Sequence, residues 1–388
     1  MTPTTDTVTA VNRRPRNRQT AIVSAAAALF ADRGFAATRI DDIGAQVGVT
    51  GPAIYRHFKS KDALLAAVVM DTLAAFAVRD DGAGAALERV LNDAVGVALD
   101  DPARLATYIR ERHRLAGDAR EQYVRAERRL YRAWRSAIRA ANPSLDDKTT
   151  ATRQFAVLTA MSAVAVRPPV LGRTQLVHLL VEAMMSVLEV PAGPAPTRTS
   201  LRGAWAPPTT RRQEILTQAL RLFRQRGYDG VGIDEIGEAA GISGPSVYFH
   251  YDTKAAILVD AYEQAGSRVV AGIHDAIALA TSATEALERL AASYLEIAHD
   301  NGDLIVVTNR EGAAIPPPDR PRFARRRRDV LGTWVTVLRQ LRPDMEEAKA
   351  RALVAGVIAL MGQLAQEPGN ADRFVPLARA WCLGLEGC

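Results

Sequence analysis

Two short stretches of the chain combine aromatic, imidazole and cationic side chains at the same spacing. The first reads Tyr55-Arg56-His57-Phe58 followed by Lys61, and the second reads Tyr248-Phe249-His250-Tyr251 followed by Lys254. Phenol, imidazole and ammonium groups donate hydrogen bonds to phosphate oxygens, and an arginine can also make a bidentate contact to a guanine base. The chemistry that these residues indicate is recognition of a nucleic acid.

Both stretches belong to a longer segment that occurs twice. Every matching pair is separated by 193 positions without a gap, from Phe30 and Phe223 to Lys61 and Lys254. Similarity continues more loosely towards the end of each half, where the separation becomes 200 positions. A repeat of this length indicates one domain that has been duplicated, so the 388 residues are interpreted as two halves.

The elements that must position these side chains are three short helices. Ile22, Ala26 and Phe30 lie on one apolar face of a first helix, and the turn after it contains Gly34 at a position suited to a left-handed backbone. Thr38 resembles the N-cap of a second helix that carries Ile40, Ile43 and Val47 inward. The second copy has Val231 at the cap position, which predicts a less firmly started helix there, by roughly 0.5–2 kcal/mol.

A tight turn separates the second helix from the third. Gly48 and Gly241 make this turn, and Thr50 and Ser243 are predicted to cap, through their hydroxyls, a third helix of about seven residues. Two short helices joined by a glycine turn form a helix-turn-helix, whose second helix is placed to enter a major groove.

The whole segment resembles the DNA-binding module of the TetR family of bacterial repressors, and it does so twice. In that family a Tyr-x-His-Phe sequence followed by Lys closes the motif. The resemblance implies that the residues contacting DNA are Thr38, Arg39, Thr50, Gly51, Pro52, Ala53, Tyr55, Arg56, His57 and Lys61 in the first copy and Ser243, Gly244, Pro245, Ser246, Tyr248, Phe249, His250 and Lys254 in the second. Thr38, Tyr55, His57 and Lys61 would bind phosphates, and Thr50 to Ala53 with Arg56 would face the bases.

Other interpretations of these residues remain open. Tyr55 could be a core aromatic residue and His57 a surface histidine, whereas Phe58 and Tyr251 are predicted to lie in the core. The two Gly-Pro pairs are interpreted as backbone devices that start a helix. The second copy replaces Thr38, Arg56 and Lys59 by Val231, Phe249 and Asp252, which weakens its predicted DNA contact.

The rest of each half has a helical pattern and resembles the ligand-binding and dimerisation region of the same family. The resemblance implies an apolar effector pocket between the middle helices. It also implies pairing helices at Phe155 to Val166, Leu176 to Val190, Ala348 to Leu364 and Phe374 to Leu385. Arg110-Glu111 recurs as Arg310-Glu311, and Trp134 as Trp334. Arg110, Glu111 and His113 are interpreted as helix-surface or intrahelical groups, and Arg325 to Arg328 as a solvated helix face.

Charge and composition narrow the possible functions. Residues 13–61 hold nine basic and three acidic side chains, an excess suited to a phosphate backbone. The cysteines, Cys382 and Cys388, offer no metal-ligand spacing, and no run of about 18 apolar residues indicates a membrane span. We expect a cytoplasmic protein without a cofactor or a metal. With no catalytic set among its residues, it should not be an enzyme.

The predicted architecture is all-α, with two TetR-like units in one chain. The proposed segments are a basic arm (1–16), a first head (17–62), a first ligand-binding and dimerisation region (63–190), a proline-rich linker (191–209), a second head (210–255) and a second distal region (256–388). The two units are expected to pair as an internal pseudo-dimer, with further homodimerisation left open.

The function that this architecture predicts is a ligand-responsive repressor. It would bind an asymmetric double-stranded DNA operator and be released by a small apolar effector, for which the resemblance suggests a lipid, sterol or acyl-CoA. An alternative keeps one working DNA-binding head and makes the second half an interaction or sensing module.

Overall fold

The computed structural model describes residues 15–78, 87–166, 170–190, 210–365 and 374–384, with side chains from residue 18 onwards. In these ranges the chain forms 18 α-helices, which agrees with the predicted all-α class. The linker predicted at 191–209 and residues 1–14 of the predicted basic arm lie outside the described residues. The first helix begins at Pro15, inside the segment that was assigned to the arm.

The two halves repeat the same order of nine helices. The first half contains α1 (Pro15–Arg33), α2 (Ile40–Gln46), α3 (Gly51–Tyr55), α4 (Lys61–Ala75), α5 (Leu87–Asp100), α6 (Pro102–Glu111), α7 (Gly117–Ala141), α8 (Asp147–Val166) and α9 (Arg173–Glu189). The second contains α10 (Arg211–Arg226), α11 (Ile233–Ala239), α12 (Gly244–Val247), α13 (Lys254–Ala278), α14 (Ala283–Asp300), α15 (Gly302–Arg310), α16 (Arg320–Leu341), α17 (Glu347–Leu364) and α18 (Val375–Leu383). A single 3-10 turn follows α6 at Arg112–Arg114 and another follows α15 at Gly312–Ala314.

The first three helices of each half form a head around the predicted apolar face. Ile22, Ala26 and Phe30 on α1 are fully buried, and so are the corresponding residues of α10. Gly34 and Gly227, which follow these helices, have φ angles of +84° and +76°. A side chain at either position would strain the backbone, so glycine allows α1 and α10 to end where they do.

The two heads differ in how their cores connect to the rest of the chain. The buried residues of the first head form an apolar core of their own with the start of α4, Leu115 and Tyr123. The core of the second head, including Phe223 and Tyr251, is continuous with the cores of both distal regions. The second head is therefore packed more firmly against the body of the molecule.

The distal regions of the two halves pack against each other through their last two helices. α8 lies along α17, and α9 lies against α18. Small residues on α8, among them Ala156 and Ala160, are fully buried and let α17 approach closely. Trp134 and Trp334, which recur at a separation of 200 positions, are each 1% exposed and lie in this shared core.

Candidate nucleic-acid interface

The helix-turn-helix of the first head depends on three glycines. Gly48 has a φ angle of +69° and makes the turn between α2 and α3. A Cβ atom on Gly44 would lie 2.6 Å from the carbonyl oxygen of Val49, and one on Gly51 would collide with the carboxylate of Asp41. These glycines let α3 cross α2 closely, so Gly51 acts as a buried packing position.

The second head repeats this construction. Gly241 has a φ angle of +70°, and a Cβ atom on Gly237 would lie 2.8 Å from the backbone nitrogen of Gly244. Gly244 in turn lies against Asp234, as Gly51 lies against Asp41. Both copies therefore have the geometry of a helix-turn-helix.

The third helices are shorter than predicted, and only one is capped by its hydroxyl. α3 has five residues and α12 has four, against the seven expected. The hydroxyl of Ser243 accepts a hydrogen bond from the backbone N–H of Ser246, as predicted. Thr50 holds the N-cap position of α3, but its hydroxyl makes no such bond. Pro52, at an early position of α3, helps to start the helix instead.

Most of the predicted DNA-contacting side chains lie together on the outside of the third helix and its flanks. In the first head, Thr50, Pro52, Tyr55, Arg56 and His57 are exposed, and Ala53 is half-buried. In the second head the exposed positions are Ser243, Pro245, Tyr248 and Phe249, with Ser246 and His250 half-buried. Tyr55 is 52% exposed and is not a core residue. Phe58 and Tyr251 are buried, as predicted.

Thr38 occupies a different position from the one predicted. Its side chain is 1% exposed, and its hydroxyl donates to the carbonyl oxygen of Gly34 at 2.8 Å. The residue that precedes α2 is Arg39, whose backbone N–H donates to the carboxylate of Asp42 at 3.0 Å. The prediction that Thr38 caps α2 is therefore wrong, and its hydroxyl is used inside the head.

The predicted weakness of the second helix in the second head is also wrong. Val231 is buried at the position that corresponds to Thr38, and Gly232 precedes α11. The backbone N–H of Gly232 donates to the carboxylate of Glu235 at 2.8 Å. Both second helices thus start in the same way, with an acidic residue in the first turn.

Lys61 and Lys254 hold their own heads together. The ammonium of Lys61 donates to the carbonyl oxygens of Phe35 at 2.8 Å and Thr38 at 3.0 Å. Lys254 donates to the carbonyl oxygens of Tyr228 and Val231, both at 3.0 Å. The pKa of both lysines is lowered, mainly because their ammonium groups are partly buried. A side chain held in this way is a support for the turn, and a phosphate contact by it remains a prediction.

Both heads pair some of their arginines with acidic residues, and the pair of Arg33 with Asp42 at 3.7 Å in the first head is the counterpart of Arg226 with Glu235 in the second. In the second head, Arg212, Arg224 and Arg226 form ion pairs with Asp260, Asp303 and Glu235 at 3.1, 2.8 and 2.7 Å. The pKa of Glu235 is lowered, mainly by its hydrogen bond from Arg226. In the first head, Arg56 and Lys59 are exposed, and neither has an ion-pair partner within the described part of the chain. Lys59 was not among the residues predicted to contact DNA, although its replacement by Asp252 was counted against the DNA contact of the second copy.

A second set of residues clamps each head onto its distal region. Arg110, at the end of α6, donates to the carbonyl oxygen of Ala31 at 3.0 Å, and Glu111 accepts from the backbone N–H of Phe35 at 3.2 Å. Arg310 makes the corresponding contact to Arg224 at 3.0 Å. Glu111 is 2% exposed, so its interpretation as a helix-surface group is wrong, although it does form a local pair with Arg114. The recurrence of Arg110-Glu111 as Arg310-Glu311, 200 positions later, was a sequence signal for a structural role in both halves.

The first distal region contains a cavity between α4, α5 and α6. Its volume is about 230 Å³, and Ala75, Phe76, Val97 and Leu105 form its apolar lining. Asp100, Asp101 and Arg104 lie at its polar side. The cavity is next to α4, which begins directly after the first head.

The part of the chain that the structure describes contains neither a candidate membrane span nor a candidate metal site. None of the helices there is long and apolar enough to cross a membrane. Within the same ranges, no cluster of three or more histidine, cysteine or acidic side chains is arranged to hold a metal ion.

Comparisons with known proteins match both heads. A model of the bacterial regulatory proteins of the tetR family matches residues 22–68 and 215–261. The HTH-type transcriptional activator FasR of Mycolicibacterium smegmatis is 25% identical over 179 residues, which cover 46% of this chain and 81% of that protein. The HTH-type transcriptional repressor KstR2 of the same organism is 38% identical over 60 residues, which cover 16% of this chain and 29% of that protein.

Among solved structures, a TetR-family transcriptional regulator from Bordetella parapertussis is similar, with 19% identity and a TM-score of 0.43. The match covers 46% of this chain and 96% of that one. The two separate matches of the family model confirm the duplicated head. The relatives are regulators of transcription, which agrees with the prediction of a protein that is not an enzyme.

Proposed function

Because the chain belongs to the TetR family of bacterial regulatory proteins and carries that family's DNA-binding domain twice, we propose that one chain acts as an internal pseudo-dimer on an asymmetric operator. A homodimer presents two identical helices and selects a palindrome, since operator symmetry mirrors protein symmetry. Here α3 and α12 present different side chains, so the two half-sites would differ in sequence.

The observation that carries this proposal is the contrast between Arg56 and Phe249. The two residues hold equivalent positions, and both are exposed, Phe249 by 87%. A guanidinium can donate two hydrogen bonds to guanine, whereas a phenyl ring offers an apolar contact such as one to a thymine methyl group. The proposed base contacts of α3 are Thr50, Pro52, Ala53 and Arg56, those of α12 are Ser243, Pro245, Ser246 and Phe249, and the proposed phosphate contacts are Arg39, Tyr55, His57, Tyr248 and His250.

Release from DNA is proposed to follow binding of a small apolar effector, in a cytoplasmic protein. We place the effector at the cavity beside α4, because α4 follows the first head directly in the chain. The cavity volume of about 230 Å³ is below the about 300–1,000 Å³ of most small-molecule sites, so an effector of this class must enlarge it on binding. An effector of the lipid, sterol or acyl-CoA class must bind the DNA-free arrangement more tightly than the DNA-bound one.

A second candidate is favoured by the ion pairs of the second head. Arg212 and Arg224 are engaged by acidic partners, and Phe249 and Asp252 stand where the first head has Arg56 and Lys59. The second head therefore has less positive charge to offer to phosphates. In this alternative only the first head reads DNA, and the second half is an interaction or sensing module.

Selection of duplexes from a randomised pool, followed by footprinting and a mass measurement of the complex, tests the proposal. The expected result is a protected site with two unlike half-sites that binds a single chain. Protection of one half-site alone would favour the second candidate, and selection of a palindrome by two chains would contradict both the internal pseudo-dimer and the asymmetric operator. A matched pool of single-stranded DNA controls for binding to charge alone.

A further inference from the structure

The turn after the first helix has different surroundings in the two heads. A Cβ atom built on Gly34 would meet no heavy atom within 4 Å. A Cβ atom on the equivalent Gly227 would lie 2.7 Å from Nε2 of His113. His113 belongs to the first half, so the distal region of the first half lies directly against the head of the second.

Arg114 makes contacts with the turns of both heads. Its Nη2 lies 3.1 Å from Oδ2 of Asp229 in the second head. Its guanidinium carbon lies 5.7 Å from the centre of the Phe35 ring in the first head, within the range of a cation–π contact. The side chain of Arg114 is 18% exposed and that of Asp229 is 45% exposed, so water screens this ion pair in part.

Glu111 fixes Arg114 in this position. Its Oε2 accepts from Nε of Arg114 at 2.6 Å, and its Oε1 accepts from the backbone N–H of Phe35 at 3.2 Å. Contacts therefore run without interruption from Phe35 through Glu111 and Arg114 to Asp229, that is, from one head to the other.

The opposite side of the molecule lacks the residues for such a connection. Positions 313 and 314, which correspond to His113 and Arg114, are alanines. Position 36, which corresponds to Asp229, is also alanine. The anchoring of each head within its own half is kept on both sides, because Arg310 donates to the carbonyl oxygen of Arg224 as Arg110 donates to that of Ala31. Among the described residues, this contact between one distal region and the opposite head is built on one side only.

We propose that His113 and Arg114 form a one-sided brace that fixes the second head relative to the first. The brace positions the reading helices α3 and α12 before DNA is present, so binding does not have to order them. Its effect on operator affinity rests on the proposed function, whereas its effect on the separation of the heads does not.

The separation of the heads can be measured without DNA. Lys59 and Asp252 are equivalent, exposed positions, and nitroxide labels on Lys59→Cys and Asp252→Cys would report the distance between the heads in a Cys388→Ser background. Cys382 is fully buried, which protects it from labelling. Pulsed electron resonance should give one narrow distance distribution for this parent protein.

Arg114→Ala and Asp229→Ala should each at least double the width of that distribution. The matched control is Arg226→Ala, which removes an ion pair of the same head to Glu235 and should leave the width unchanged. Circular dichroism and thermal unfolding identify any variant that has lost its fold. If one of the two single variants unfolds, the other still decides the test. A distribution in Arg114→Ala and Asp229→Ala as narrow as in the parent would overturn the brace.

The consequence for DNA is measured on the duplex that the parent chain selects. Arg114→Ala should lower the affinity for the full operator about 10-fold and leave the affinity for an isolated first half-site unchanged. An equal loss on both duplexes would contradict a positioning role. If the parent selects no duplex, the proposed function fails, while the distance measurement still decides whether the brace exists.

Discussion

The ammonium of Lys61 lies 2.8 Å from the carbonyl oxygen of Phe35, in the turn that follows the first helix. It also lies 4.4 Å from the centre of the Phe35 ring. Lys254 repeats both relationships with Tyr228, at 3.0 and 4.3 Å. Equivalent lysines therefore stabilise the turn after the first helix in both heads.

Lys61→Met should destabilise the first head in the absence of DNA. The substitution removes hydrogen bonds from a charged donor to buried carbonyl oxygens, and the expected loss is about 1–2 kcal/mol. Urea unfolding of the DNA-free protein measures it, and Lys254→Met should show a comparable loss in the second head. Unchanged unfolding together with weaker DNA binding would restore Lys61 as a phosphate contact.

Glu111→Ala should destabilise the protein more than removal of an exposed carboxylate does. Glu111 is buried between the backbone N–H of Phe35 and the guanidinium of Arg114, and both donors would lose their acceptor. We expect a loss of about 2–4 kcal/mol in the free energy of unfolding. The control is Glu121→Ala, whose pair with Arg125 is exposed and should contribute less than about 1 kcal/mol. Equal losses in the two variants would show that Glu111 does not anchor the first head.

The stability of the protein should fall in mildly acidic solution partly because of His113. Burial, followed by the positive charges of Arg310 and Arg114, lowers the pKa of His113 to about 4 from its ordinary value of 6.5. The unfolded chain therefore binds this proton more readily than the folded chain does between these pH values. Stability from this group is present above pH 6.5 and is lost as the pH falls towards 4.

His113→Ala separates this contribution from that of the acidic residues. Thermal unfolding of the protein and of the variant is compared at a series of pH values from 7 to 4. The variant, which copies the alanine at the equivalent position 313, should lose less stability over this range. Parallel curves for the two proteins would mean that His113 is not held neutral in the fold.

Arg56→Ala should weaken operator binding more than Phe249→Ala. An exposed guanidinium supplies both a base contact and salt-dependent affinity, and its loss should cost about 1–3 kcal/mol and relax selection in one half-site only. Phe249→Ala should cost less and change the other half-site. Titrations at two salt concentrations, with the Arg226→Ala variant as a control for charge outside the reading surface, measure both effects. Equal losses on a palindromic site would contradict the asymmetric interpretation.

Much of the fold could be predicted because it depends on local patterns that occur twice. The apolar face of α1, the glycine turns at Gly48 and Gly241 and the cap of Ser243 are all local features. Repetition at a fixed separation made each weak signal stronger, since chance rarely places the same pattern in both halves.

The errors arose where burial or a distant partner determines the role of a side chain. Thr38 resembles a cap by its neighbours, but its hydroxyl bonds to the preceding turn because the position is buried. The DNA contact of Lys61 remains a prediction, but its hydrogen bonds to the carbonyl oxygens of the turn could not be read from the family motif. The partners of Glu111 and Arg114 could not be identified from the sequence, because Phe35 and Asp229 are 76 and 115 positions away.

The central claim is that two different heads of one chain read one asymmetric operator. It is tested most directly by titrating the chain against three duplexes: the selected operator, a palindrome of its first half-site and a palindrome of its second. The account predicts that one chain binds the selected operator at least about 10-fold more tightly than either palindrome, since each mismatched base pair costs about 1–3 kcal/mol. A palindrome of the first half-site that bound two chains as tightly as the selected operator would contradict it.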